Sequence, residues 1–348
     1  MNKHVHIVID AIRHPLEVIY FRGKYPSFFL VAVSTTDKER KDRLIKQNYL
    51  MSDIESIDNK EYSKTHNPDE PSFYSTQDIQ GCLQRADIYI RNPNEETSTK
   101  KYKELTKQII RYVTLIMRPG IVTPSHIERC MQIAYSAKYN SGCISRQVGA
   151  VITDKNYSIR SIGWNDVPFG HVPCNLRSRD DLVNDEDGDA YSCFEKEDER
   201  YKKAFTDLYN KNKSKYEEIN KQGRNNAFCF KEAYNEYIGQ KNQVHTRSLH
   251  AEENAFLQIA KYGVSSIEGG ILFTTASPCE LCSKKAYQLG ISKIYYIDPY
   301  PGISIDHILK GGKYNPKLIL FSGAVGRAFH ELYSPVVPYK DELKALLY

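Results

Sequence analysis

The chain has 348 residues, 41% of them hydrophobic and 26% charged, with a net charge of +5. That composition belongs to a soluble globular protein long enough for two domains, and its mild positive balance permits an anionic partner without demanding one. No apolar run approaches the roughly 18 residues of a membrane helix, MNKHVHIVIDAIRH carries no small-residue cleavage site, and eight scattered cysteines point to a reducing, cytoplasmic setting without a disulfide framework.

Residues 1–118 alternate strand and helix signals. HVHIVID (4–10) is a continuous β-branched run and predicts a buried strand. Pro15 suits the first turn of a helix over 15–25. SFFLVAVS (27–34) predicts a second buried strand and DKERKDRLIKQN (37–48) a charged helix. A short helix (77–86), a third strand (87–92) and a long helix (94–117) follow. Such alternation argues for a parallel sheet. RPGIVTPS (118–125), with Pro119, Gly120 and Pro124, is the clearest boundary in the chain.

Beyond it come a helix in PSHIERCMQIAYSAKY and strands at 148–153 and 157–164. Residues 175–244, rich in charge, Asn and Tyr, read as a long insertion. Its segment 197–221 predicts a solvated, salt-bridged helix. Tyr201, Tyr209 and Tyr216 among its basic residues would suit RNA or DNA contact. The alternation resumes with helix 250–262, strand 269–275, helix 278–289 and strands 292–298 and 317–323.

Two short stretches carry chemistry. In TTASPCELC, Pro278 sits at a helix start, and Cys279 and Cys282 lie three apart on its first turn. There the helix dipole favours thiolates, which are good zinc ligands. In HTRSLHAEENAF, His250 and Glu252 open another helix. Singly these residues have bland readings: a helix-start histidine, a first-turn acid, two buried thiols. Jointly, His-x-Glu followed by Pro-Cys-x-x-Cys is the signature of zinc deaminases. His250, Cys279 and Cys282 then fill three positions of a tetrahedral zinc, and the fourth stays open, as a catalytic site requires. Zinc brings the pKa of a water there toward about 7. Glu252 is too close to His250 for a fourth ligand and is placed to shuttle the proton. Glu253, on another side of the helix, is expected to be a surface or capping residue.

The match extends past the motif. CISRQVGAVITD (143–154), SIGWNDVPFG (161–170), HAEENA (250–255), FTTASPCELCSKKAYQLGI (273–291) and YYIDPYPGIS (295–304) resemble successive blocks of the deoxycytidylate deaminases, within the zinc-dependent cytidine deaminase superfamily. With the insertion and NPKLILFSGAVGRAFHELY (315–333), the chain is similar to bacterial anti-phage dCTP/dCMP deaminases with a kinase-like N-terminal domain. The resemblance implies that Asn165 contacts the sugar or base and that the backbone around Val148–Ala150 lies against the ring. It offers Arg146 and Tyr300 for phosphate contact or stacking. It also raises a second, structural zinc on His171 and Cys174, completed by Cys193, Cys229 or His245.

That subgroup begins with a P-loop, G-x-x-x-x-G-K-[ST], and no such motif occurs here. HIVIDAIRHPLEVIYF is similar to the family's mid-domain strand and helix. The chain then starts inside the kinase-like domain, without nucleotide binding by residues 1–118. Its incomplete sheet exposes an edge, covered by a partner or by self-association, unless this is a truncated form.

The expected architecture is a three-layer α/β/α cytidine-deaminase-like domain over 119–348, with its insertion at about 175–244. A partial P-loop-kinase-like (Rossmann-like) α/β domain precedes it over 1–118. The expected function is zinc-dependent deamination of dCTP or dCMP by a cytoplasmic homo-oligomer. The resemblance adds dCTP depletion in anti-phage defence under control of a small RNA. Two other readings stay open: a tRNA or single-stranded DNA base deaminase, and a non-catalytic zinc-stabilised nucleotide- or RNA-sensing module.

Overall fold

Pro15 opens the first helix, α1 (Pro15–Lys24), where a missing N–H costs nothing. Glu17 reaches back to accept the His14 N–H at 3.0 Å. The same device starts the second helix, α2 (Asp37–Lys46), where Glu39 accepts from Thr36. The computed structural model describes residues 6–61, 76–94, 103–240, 242, 244–263, 266–298 and 304–347. They form two compact units, Met1–Gln132 with Tyr296–Pro299 and Ile319–Tyr348, and Ile133–Tyr295 with Tyr300–Leu318.

In the first unit, β1 (Val31–Ser34) precedes α2, followed by α3 (Met51–Glu61), α4 (Ile79–Leu83), β2 (Ile88–Arg91) and α5 (Glu104–Met117). The next helix, α6 (His126–Ala137), leads into the second unit. β1 and β2 pair in parallel, as the alternation predicts. Helix α5 turns Gln108, Tyr112 and Leu115 inward at helical spacing, and Tyr112 and Leu115 pack with Ile88 and Ile90 of β2.

The run 4–10 behaves otherwise. Its described part, residues 6–10, forms no regular element, and Ile7 and Val8 are 78% and 94% exposed. A β-branched run becomes a strand only with a ladder partner, and residues 6–10 pair with none of the described strands.

A five-stranded sheet is formed by β3 (Gly149–Thr153), β4 (Ile159–Trp164), β5 (Ile271–Ala276), β6 (Lys293–Asp298) and β7 (Lys317–Leu320), in the order β4-β3-β5-β6-β7. β3 runs antiparallel to both neighbours. All five residues of β3 and all six of β5 are buried, so these are central strands. After β7, a two-residue strand, β8 (Gly323–Ala324), pairs antiparallel with β2 of the first unit's sheet.

The insertion departs from expectation. Its described residues hold five α-helices: α7 (Arg179–Val183), α8 (Cys193–Glu197), α9 (Glu199–Lys211), α10 (Lys213–Lys221) and α11 (Phe230–Ile238). Residues 197–221 are two helices meeting at Asn212, and α9 is no solvated helix. Tyr201, Phe205 and Tyr209, four apart, are buried. Tyr201 and Phe205 join Leu182, Ala190, Tyr191 and Phe228 in a core of the insertion's own, while Tyr209 stacks on Tyr216 at 5.4 Å. Buried Tyr201 and Tyr209 are not presented to RNA or DNA. Inside this core the guanidinium of Arg177 pairs with Glu195 and lies over the rings of Tyr191 and Phe228, at 4.9 and 4.7 Å.

Two helices complete the sheet's cover: α12 (Ala251–Tyr262) and α13 (Glu280–Gln288). Gly163 of β4 makes the docking of α12 possible. A Cβ there would meet the carbonyl of Ala251 at 2.2 Å and the amide of Ala255 at 2.5 Å, so only glycine lets strand and helix approach this closely. Ala251, Ala255 and Phe256 then pack with Ala150, Ile152 and Leu272.

Candidate active site

The N-termini of α12 and α13 carry the reactive side chains. His250 is the N-cap of α12 and Cys279 the N-cap of α13. Residue 249 is held in place before His250 because its N–H donates to the Asp166 carbonyl at 2.8 Å. The turn after β4 thus aims the histidine, and Pro278 ends the strand side of the cysteine turn.

The Sγ atoms of Cys279 and Cys282 lie 3.4 and 3.5 Å from His250 Nδ1. Tetrahedral zinc, with Zn–S of about 2.3 Å and Zn–N of about 2.0–2.1 Å, separates sulfur from nitrogen by about 3.6 Å. The three donors therefore fit a zinc ion. They are also the one group of three or more metal-ligating side chains, mutually within 4.8 Å, among the described residues. The hydrogen bond from Cys282 lowers the Cys279 thiol to about 4, against the effect of burial and with help from His250. Cys282 moves well above the thiol range through that same hydrogen bond and its burial. The hydrogen bond with Cys279 raises His250.

Glu252, two residues into α12, is 4% exposed. Burial raises its carboxyl above the usual range. The Thr274 hydroxyl of β5 lies 3.0 Å from its Oε1. Glu253 plays the other part expected of it: it accepts the His250 N–H at 3.4 Å and pairs with Lys285 of α13.

His250, Glu252 and Cys279 open into a cavity of about 260 Å³, which Arg146, Val148 and Asn165 also line. The Asn165 side chain is engaged with backbone: its Oδ1 accepts from the Val148 N–H at 2.6 Å and its Nδ2 donates to the Arg146 carbonyl at 2.7 Å. It fixes the wall on which Arg146 and Val148 stand. Ala150, deeper along β3, is fully buried in the sheet core and outside the lining. Tyr300 lies outside the described residues.

Of the second-metal candidates, Cys174 and Cys229 line the same cavity, whereas His171 is exposed and outside it. Cys193 is exposed, and His245 packs against the ring of Tyr234 at 4.7 Å. Sequence reasoning passed over Thr274, Lys231 and Arg247. Lys231 and Arg247 line the cavity, but neither belongs to a short motif. Thr274, with its neighbour Thr275, is a polar residue on an otherwise apolar central strand, which was its one signal.

The family described as cytidine and deoxycytidylate deaminase zinc-binding region matches residues 124–298. The deoxycytidylate deaminase of Enterobacteria phage T2 is 34% identical over 179 residues, which is 49% of this chain and 78% of that protein. That of phage T4 is 33% identical over 179 residues, 49% of this chain and 76% of its own length. Among solved structures, the dCMP deaminase of cyanophage S-TIM5 in complex with dCMP and dUMP is 26% identical, with a TM-score of 0.34 over 57% of this chain and 99% of that one.

Proposed function

Since the chain belongs to the cytidine and deoxycytidylate deaminase family and is a hydrolytic nucleotide deaminase, we propose that the cavity at His250 and Glu252 converts dCMP or dCTP to the matching deoxyuridine nucleotide and ammonia. The observation that carries this is the buried Glu252 carboxyl opening into one cavity with His250 and Cys279. His250, Cys279 and Cys282 are the residues that would hold the family's zinc. When bound, zinc supplies the Lewis acidity that lets water act as a nucleophile at neutral pH.

Glu252 takes the proton from the attacking water. As oxygen bonds to carbon 4 of cytosine, Glu252 passes that proton to the ring nitrogen; it then carries the remaining proton of the new C4 hydroxyl to the amino group, the C4=O bond forms, and the bond from carbon 4 to the exocyclic nitrogen breaks to release ammonia. Burial suits Glu252 to this work, because a carboxyl raised above its usual range holds a proton more readily near neutrality. Thr274 holds one of its oxygens in place. Val148 lies against the ring, and Asn165 keeps that wall fixed.

The finer reading rests on the resemblance of the sequence blocks. It makes the chain a cytoplasmic homo-oligomer that depletes dCTP in anti-phage defence and is restrained by a small RNA. No helix among the described residues is long and apolar enough to cross a membrane. The parallel pairing of β1 and β2 supports residues 1–118 as a partial kinase-like domain. Burial of Tyr201 and Tyr209 counts against a nucleic-acid substrate bound on the insertion.

Incubation of the purified protein with dCMP, dCTP, CTP and a cytosine-containing oligonucleotide tests the reading. Ammonia is expected from the deoxynucleotides. Release from the oligonucleotide alone would sink the proposal.

A further inference from the structure

Apart from Glu252, the charged residues lining the cavity are all cations: Arg146, Lys231 and Arg247. Two belong to the walls of the deaminase fold. Arg146 stands on the segment clamped by Asn165. Arg247, just before the site helix, is pinned by Nη1 contacts to the Val172 carbonyl at 3.2 Å and the Cys174 sulfur at 3.6 Å. The third comes from the insertion. Lys231 lies in the first turn of α11, half-buried, beside Cys229 and Phe230 in the cavity lining. A hydrogen bond from Ser145 to Glu232, at 3.4 Å, seats that turn against the Arg146 segment.

We propose that Lys231 is a specificity-determining residue that favours the triphosphate over the monophosphate. This rests on the reading of the cavity as a deoxycytidine nucleotide site. A monophosphate carries roughly two negative charges, which the two arginines match, and their planar forks suit a phosphate held in a fixed place. The further phosphates of dCTP bring charge that only a third cation meets. Lysine, a point charge on a flexible stem, suits the end of a chain whose position varies. The insertion thereby adds phosphate-chain reading to a site whose chemistry the rest of the domain supplies.

Steady-state kinetics on the full chain, with dCMP and dCTP, test this in the wild type and in Lys231→Ala, Lys231→Glu and Lys231→Arg. Zinc content and melting temperature are measured alongside. Lys231→Ala should raise KM for dCTP roughly ten- to a hundredfold while kcat/KM for dCMP stays within about threefold. Lys231→Glu should weaken dCTP further, and Lys231→Arg should keep the wild-type preference. Equal losses on both nucleotides, an unchanged KM for dCTP, or an arginine variant that behaves like alanine would each overturn the proposal. So would a wild type active on dCMP and inert on dCTP, with the nucleotide reading intact. A wild type inert on both nucleotides removes the underlying reading itself, with no variant needed to see it.

Discussion

Glu252 and Glu253 are adjacent, carry the same group, and have opposite surroundings. Glu253 is held below the usual carboxylate range: Lys285 and the His250 N–H outweigh its burial. It is fixed as an anion and stabilises the helix start. Glu252 is buried, shifted upward and open to the cavity. Glu252→Gln preserves shape and the Thr274 contact but cannot carry a proton. The variant should bind zinc stoichiometrically and lose roughly 10²–10⁴-fold in kcat, read from metal analysis and ammonia release on one preparation. A fully active variant would refute the assigned mechanism. This division was legible in the sequence, because ligand and acid stand in the first turn of one helix and their spacing alone sets their faces. Lys231 and Arg247 were not, since only the fold brings residues 231 and 247 to the wall that holds Arg146.

At the scale of elements, the site depends on how closely α12 lies on β4. Gly163→Ala places a methyl 2.2 Å from the Ala251 carbonyl, one residue from His250. The helix must move or the strand must bend, at a cost of at least about 2 kcal/mol. Denaturant melts should register this, and zinc occupancy should fall, because the shift moves His250 relative to the cysteine turn. Several helices are announced by their caps; α2 of the first unit, with its Thr36–Glu39 box, is one. The insertion is harder to read. The 201/205/209 stripe was present in the sequence, but the charges between its members suggested a solvated surface. Only packing of Tyr201 and Phe205 against Tyr191 and Phe228, which lie outside the helix, gives the stripe an inside. Apolar character misleads in the opposite way at 6–10, where no described strand offers a ladder.

For the molecule as a whole, the two units are not simple consecutive halves. The first takes Tyr296–Pro299 and Ile319–Tyr348 in addition to its N-terminal residues. Ala324, Ala328 and Leu332 pack there with Ile88, Tyr112 and Leu115. Such a return leaves no trace in local sequence, since contacts this distant are set by burial rather than by neighbours. The three candidate metal donors, His250, Cys279 and Cys282, by contrast, all lie within the second unit. Removing the metal with a chelator should therefore abolish deamination. It should also lower the melting temperature of that unit by on the order of 10 °C, and added zinc should restore both. A chelated protein that melts unchanged would mean that the triad contributes nothing to the fold.

The placement of the three candidate metal donors also has a kinetic meaning. Cys279 and Cys282 sit within one turn and can grip a metal ion early, whatever the rest of the chain is doing. His250 reaches them only when α12 has settled on the glycine of β4 and β5 has taken its register beside β3. Capture of a metal by all three donors is therefore expected late on the folding path, and the rate of zinc release from the folded protein, read with a chromogenic chelator, should follow the rate at which α12 lifts from its strand.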